Sequence, residues 1–327
     1  MTKIRVGILG AGRIIPNALV TPAHPEFTLQ ALGARDPVRG ADFARANGIA
    51  HVAADYDSLI ARDDVDLVYI ALPNSLHAPW SIAALKAGKP VLCEKPFALD
   101  AAEARVMVAA SAAAGLPLIE AYHHRFHRVM LRAAEIVRSG ELGRLIHAEA
   151  AFEITTPYTP EQPRWHAELG GGALMDLGCY PLYALRMLLG EEPGVSAAHC
   201  TLEHGIDAAT EADLIFPGGA TGHIGCRLGS PQAVQSIRLR GERGTLALDG
   251  FVVPQNGCRF TVTSNGVTRE EPVDGPSTFY MQLSHVADVL LRGATPLTGG
   301  ADAIAQMTAI EAIYAKAGFT PFGRRAQ

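Results

Sequence analysis

Near the N-terminus the chain reads Gly10-Ala11-Gly12-Arg13-Ile14-Ile15. A first glycine there permits a tight turn after a strand, and a second lets phosphate oxygens approach the backbone at a helix N-terminus. The third position of that fingerprint calls for Gly or Ala to let helix and sheet pack closely, and here it holds Ile15. Gly33-Ala34-Arg35-Asp36-Pro37 closes the next apolar run. An acidic residue at such a strand end grips a ribose 2′-hydroxyl, whereas a guanidinium pairs bidentately with a 2′-phosphate. Arg35 comes first and Asp36 follows at the turn, so the pattern favours NADP(H), with NAD(H) as the alternative. Lys95 stands just beyond another apolar run. Asp176 and Tyr180, four residues apart after Gly170-Gly171-Gly172, bring a carboxylate and a phenol to one face of a helix. In Tyr122-His123-His124-Arg125-Phe126-His127, His123 and His127 could share a helical face as zinc ligands do. No third ligand accompanies them at a recognisable spacing, so no metal is expected. His123 and Arg125 read instead as candidates to touch substrate hydroxyls.

These residues must be positioned by regular elements. Over the first 122 residues short apolar runs at 4–9, 28–34, 67–72, 91–93 and 118–121 alternate with Ala-rich helical stretches at 41–46, 58–61, 75–87 and 101–114. Strands alternating with helices imply right-handed crossovers and a parallel, doubly wound sheet. Its carboxyl ends form the crevice where ligands bind, and Gly10, Arg35, Leu72 and Lys95 all stand at or just beyond such ends. After residue 123 the pattern changes. A helix at 128–139 leads into an alternating run at 145–154 and a Pro-rich loop at 155–163. From 195 to 273 strands are joined by the hairpin signals Pro217-Gly218-Gly219, Gly241-Glu242-Arg243-Gly244 and Asn265-Gly266. Helices at about 280–291 and 301–315 follow. The fold class is α/β: a Rossmann domain at 1–122, then an α+β domain at 123–327 with a large, mostly antiparallel open sheet.

Composition limits the rest. The 327 residues carry 28 Lys+Arg against 33 Asp+Glu, a net charge of −5, which argues against a nucleic-acid partner. With 48% hydrophobic and 19% charged residues the chain is that of a globular protein. No run of about 18 apolar residues exists to span a membrane, and no signal-peptide pattern opens the chain. Five scattered cysteines without a C-x-x-C pair fit a reduced, cytoplasmic protein.

Val91-Leu92-Cys93-Glu94-Lys95-Pro96, together with Gly10-Ala11-Gly12, Leu72-Pro73-Asn74-Ser75-Leu76-His77 and Gly170-Gly171-Gly172-Ala173-Leu174-Met175-Asp176-Leu177-Gly178-Cys179-Tyr180, resembles the Gfo/Idh/MocA family of sugar-type oxidoreductases over nearly the whole chain. The resemblance is to the branch of NADP-dependent xylose dehydrogenases, dimeric dihydrodiol dehydrogenases and sugar ketoreductases. It implies that Lys95 hydrogen-bonds the reacting oxygen, that Tyr180 is the general acid/base, and that Asp176 orients the substrate or the Lys95–Tyr180 pair. Many family members have His where this chain has Tyr180, which separates it from typical inositol dehydrogenases. The resemblance further implies cofactor contacts from Gly10, Gly12, Arg13, Ile14, Ile15, Arg35, Leu72, Pro73, Asn74, His77, Glu94, Lys95, Arg164 and Trp165. It also implies a sugar or other polyhydroxylated substrate, and a homodimer or homotetramer formed through the C-terminal sheet. Two other readings stand beside it: an NAD-dependent inositol- or glycoside-oxidising dehydrogenase, and a catalytically inert nucleotide-sensing regulator. Retention of Lys95, Asp176 and Tyr180 together counts against the regulator.

Overall fold

The computed structural model describes residues 3–321. It divides into two compact units, Met1–His123 with Phe279–Ile304, and His124–Thr278 with Ala305–Gln327.

Unit 1 is built on a six-stranded parallel sheet of β1 (Ile4–Leu9), β2 (Phe27–Gly33), β3 (His51–Ala53), β4 (Leu67–Ile70), β5 (Val91–Cys93) and β6 (Leu118–Glu120). The spatial order β3-β2-β1-β4-β5-β6 reverses direction between β1 and β4, which makes the switch point of a doubly wound sheet. The short strand β3 has no counterpart in the sequence reading. Its three residues are too few to show a period, and two of them are exposed. Four helices connect the strands: α1 (Pro37–Ala46), α2 (Tyr56–Ile60), α3 (His77–Lys86) and α4 (Ala101–Ala114). The segment after β1 is a single π turn, Pro16–Val20, in which the Thr21 N–H reaches back to the Pro16 carbonyl at 2.7 Å.

The chain returns to unit 1 near its end. Phe279, Leu283, Val286 and Ala287 recur at helical spacing and join the core that contains Val6, Ile8, Leu32 and Tyr69. The Thr298 hydroxyl donates to the Glu120 carbonyl at 2.6 Å, tying the following segment to the end of β6. Residues 279–304, expected within a continuous 123–327 domain, therefore pack with the Rossmann sheet, because the apolar face of their helix completes that core.

Unit 2 opens with α5 (Arg128–Arg138) and β7 (Leu145–Glu153), followed by a π turn at Leu174–Gly178 that continues into α6 (Cys179–Leu189). Its strands β8 (Gly194–Glu203), β9 (Ile206–Ile215), β10 (Thr221–Arg227), β11 (Val234–Gly241), β12 (Gly244–Asp249), β13 (Arg259–Ser264) and β14 (Val267–Glu270) complete an eight-stranded sheet with β7. All its pairs are antiparallel except β7 with β10. The three hairpin signals fall where they were expected, and Asn265 and Gly266 both take the positive φ that a tight hairpin turn needs. One sheet face is buried by alternation: Ala148, Ala150 and Phe152 of β7 point inward, while Glu149 is exposed and Ala151 half-buried. Across three strands the outward positions Gly225, Ala151 and Ser236 are paired side by side, a patch of small residues next to the outward His223, Glu149 and Arg238.

The last two helices are α7 (Thr278–Arg292), in unit 1 but for its first residue, and α8 (Gly300–Lys316), in unit 2 from Ala305 onward. Among the described residues no helix is long and apolar enough to cross a membrane.

Candidate active site

In unit 1 the expected residues collect where the parallel strands end. A Cβ on Gly10, which has φ +96°, would lie 2.7 Å from the Ala71 carbonyl oxygen, and one on Gly12 would lie 3.0 Å from it. Both glycines are thus required by the close pass of the first turn over the end of β4. Arg13 is exposed and Ile14 half-buried. Ile15 is fully buried in the sheet's core. Its side chain belongs to that core, which leaves only its backbone facing the turn. The larger residue fits because only one π turn, and no long helix, follows.

Arg35 and Asp36 separate clearly. Asp36 caps α1, its Oδ1 accepting the N–H of Val38 at 3.0 Å and of Arg39 at 3.1 Å. Arg35 is exposed, and among the described residues it forms no ion pair. Tyr56, whose ring a Cβ on Gly33 would meet at 3.0 Å, lines the same strand end. The donor chemistry there fits a phosphate: one free guanidinium, with the neighbouring carboxylate already engaged.

His77 bridges two of the loops. Its Nδ1 lies 2.8 Å from the Pro96 carbonyl and its Nε2 3.0 Å from the Leu72 carbonyl. Burial pushes its pKa down to about 4, with the Lys95 charge acting in the same direction. A neutral ring donates to one carbonyl and faces the other with a lone pair. The side chain is 0% exposed. His77 is thus held between the loop after β4 and the Glu94-Lys95-Pro96 loop after β5, hydrogen-bonded to one of the two carbonyls. Beside it, the Tyr69 hydroxyl donates to the Glu94 carboxylate. Pro73, Asn74, Glu94 and Lys95 are half-buried, and Leu72 is buried beside Gly10.

In unit 2 Arg164, Asp176 and the glycine triplet come together. Arg164 Nη1 is 3.3 Å from Asp176 Oδ2, and the Arg164 carbonyl accepts the Gly172 N–H at 2.9 Å. Asp176 itself donates its N–H to the Gly172 carbonyl at 2.9 Å. Trp165 is buried, edge-on to Tyr158 at 5.3 Å between centroids. Tyr180 is buried against the Phe152 ring at 5.5 Å and the His124 ring at 5.2 Å. His124 is fully buried among aromatic rings; its pKa falls to about 3, through desolvation first and the charge of Arg125 second. Arg125 donates from Nη1 to the Tyr183 hydroxyl at 3.1 Å.

His123 and His127 do not share a helical face. His123 belongs to unit 1 and stacks on Phe279 at 4.0 Å, whereas His127 caps α5 by accepting the Val129 N–H at 3.2 Å. Among the described residues no group of three His, Cys, Asp or Glu could hold a metal ion. The sequence reading gave no role to Asp207, Tyr314 or Gln306. The one signal it held was an aspartate in the otherwise apolar run Ile206-Asp207-Ala208-Ala209.

The His77 shift has a definite sign. A folded pKa of about 4, below the ordinary histidine value of 6.5, means the fold prefers the neutral ring. Its contribution is present above pH 6.5 and is lost as pH falls toward 4. Urea unfolding should show a loss of about 2 kcal/mol from this residue between pH 6.5 and pH 5. His77→Gln should flatten that limb, and equal slopes for variant and wild type would contradict the assignment.

Profile comparison places residues 4–122 in an oxidoreductase family with an NAD-binding Rossmann fold, and residues 130–247 in the GFO/IDH/MocA C-terminal domain. A D-xylose 1-dehydrogenase (NADP(+)) from Haloferax volcanii is 33% identical over 315 residues, covering 95% of this chain and 96% of that one. An aldose-aldose oxidoreductase from Caulobacter crescentus, solved with glycerol, superposes with a TM-score of 0.88 at 32% identity, over 97% of this chain and 98% of that one. A 3-ketoreductase from Actinomadura kijaniata, solved with NADP and TDP-benzene, gives a TM-score of 0.89 at 26% identity, over 96% and 98%. With both domains matched and a relative aligned nearly end to end, the chain belongs to the Gfo/Idh/MocA family of oxidoreductases, and it is an enzyme acting on CH–OH groups.

Proposed function

We propose that the protein is an NADP-dependent oxidoreductase of sugars or similar polyhydroxylated compounds. The observation that carries this reading is the end of β2, where Arg35 is free while Asp36 is committed to the α1 cap. The NADP-dependent xylose dehydrogenase and the NADP-bound ketoreductase among the relatives support the same cofactor. Gly10, Gly12, Arg13, Pro73 and Asn74 would hold its remaining parts. When bound, the nicotinamide supplies or accepts the hydride.

The chain's own residues handle the proton and the orientation. Lys95 hydrogen-bonds the reacting oxygen. Tyr180 takes a proton from the hydroxyl during oxidation and returns one to the carbonyl during reduction. Asp176, held by Arg164 at 3.3 Å, orients the substrate from the same turn. Arg125 is a further candidate for substrate hydroxyls. His123, stacked on Phe279, is the weaker one, because that ring contact occupies its face.

We also infer a homodimer or homotetramer. The small outward residues Gly225, Ala151 and Ser236, side by side on three strands, let a second copy approach that face closely.

Arg35→Ala should weaken NADPH binding at least tenfold, the worth of a hydrogen bond to a charged group, while NADH binding changes by less than about twofold. Protection from thermal unfolding by each nucleotide reads this directly. Equal losses, or tighter wild-type binding of NADH, would overturn the phosphate reading. An aldose panel that includes D-xylose should give NADPH formation from NADP+, and no turnover of any polyol or aldose would argue for the regulator. Light scattering at micromolar concentration should show a dimer or larger; a monomer there would contradict the assembly.

A further inference from the structure

Outside every motif singled out above, one buried carboxylate holds the segment that carries Asp176 and Tyr180. Asp207, the second residue of β9, is 0% exposed. Its Oδ2 accepts the Leu174 N–H at 2.8 Å and the Thr210 hydroxyl at 2.8 Å. Its Oδ1 accepts the Tyr314 hydroxyl at 3.0 Å, from α8. The same oxygen lies 2.1 Å from where a Cβ would stand on Gly172, whose φ is +128°. Only glycine can occupy position 172 while Asp207 keeps this place.

The segment is clamped from other sides as well. A Cβ on Gly171 would meet the Arg164 carbonyl oxygen at 2.5 Å, and one on Gly178 would meet the Cys226 sulfur at 2.7 Å. Gln306 donates from Nε2 to the Cys179 carbonyl at 2.9 Å and accepts from Arg186 at 2.8 Å. Between these clamps runs the π turn, where the Cys179 N–H reaches back to the Leu174 carbonyl. Such a turn inserts a residue relative to an α-helix and changes the direction of every side chain beyond it. Burying a carboxylate is costly, and desolvation raises the pKa of Asp207 to about 6 despite its three donors. An apolar residue would avoid that cost but would leave the Leu174 N–H without a partner at the start of the turn.

We propose that Asp207 is a positioning residue for catalysis: by fixing the Leu174 N–H against Gly172 it sets the start of the π turn, and so the placement of Asp176 and Tyr180. This rests on the assignment of Tyr180 as the acid/base. Misplacement of a catalytic group by about 1 Å can cost a hundredfold in rate.

Two readouts on the full-length enzyme test it. Amide hydrogen exchange in the 172–182 segment should be at least tenfold faster in Asp207→Ala, with the peptides of β1 to β6 unchanged. With the aldose giving fastest NADPH formation, kcat of Asp207→Ala should fall about ten- to a hundredfold while KM for NADP+ stays within about twofold. Asp207→Asn should recover most of kcat, since its amide oxygen still accepts from Leu174 and Thr210 and the Tyr314 hydroxyl can turn to accept from the amide. Tyr314→Phe, which removes one donor and keeps the shape, should fall between them and serves if Asp207→Ala does not fold. Unchanged exchange in the segment, or faster exchange with wild-type kcat, would overturn the proposal. So would an equal loss in the Asn and Ala variants. If Tyr180→Phe keeps its turnover, the acid/base assignment fails by itself, and exchange in the Asp207 variants still decides whether this carboxylate holds the segment.

Discussion

Unit 1 depends on the parallel pairing of short, fully buried strands. Strands β4, β5 and β6 are buried at every residue and only three or four residues long, so their register leaves no freedom in where each chain leaves the sheet. Parallel register sends the carboxyl ends of β1, β2, β4 and β5 to one edge, and right-handed crossovers return the chain to the other. Gly10, Arg35, Leu72 and Lys95 share that edge for this reason alone. The close pass of Gly10 and Gly12 over the Ala71 carbonyl and the His77 bridge between Leu72 and Pro96 then fix the loops relative to one another.

Unit 2 solves a different problem with different means. Asp176 lies in the π turn and Tyr180 in the first turn of the α-helix that continues from it. Buried polar side chains from distant parts of the chain hold this segment, with Asp207 and Tyr314 lying 107 residues apart. A buried polar cluster specifies one arrangement because each unmade bond is expensive in a low-dielectric interior. The glycine triplet is the counterpart of that cluster: it leaves room for the Asp207 carboxylate and the Arg164 carbonyl.

Local features of the sequence were legible. Strand periodicity, the Asn265-Gly266 hairpin and the Arg35-Asp36 strand end depend on near neighbours, and each is found where the pattern put it. Features set by long-range packing were not. Nothing local distinguishes the helix at Thr278–Arg292 as a piece of unit 1, since its apolar face would suit any sheet. The motif of His77 gave no sign that its ring is fully buried between the Leu72 and Pro96 carbonyls. Ile15 departs from the fingerprint for a reason visible only once the single π turn after it is known. Asp207 gave a signal, an acid among apolar neighbours, but not its partners.

On the proposed reading, unit 1 residues bind the cofactor and the Tyr180 phenol handles the proton. Steady-state turnover and NADPH affinity measured on one preparation of Tyr180→Phe test that division most directly. Turnover should fall by about 10²–10⁴-fold, the usual worth of a positioned acid/base, with NADPH affinity within about twofold of wild type. A variant that keeps most of its turnover would contradict the account.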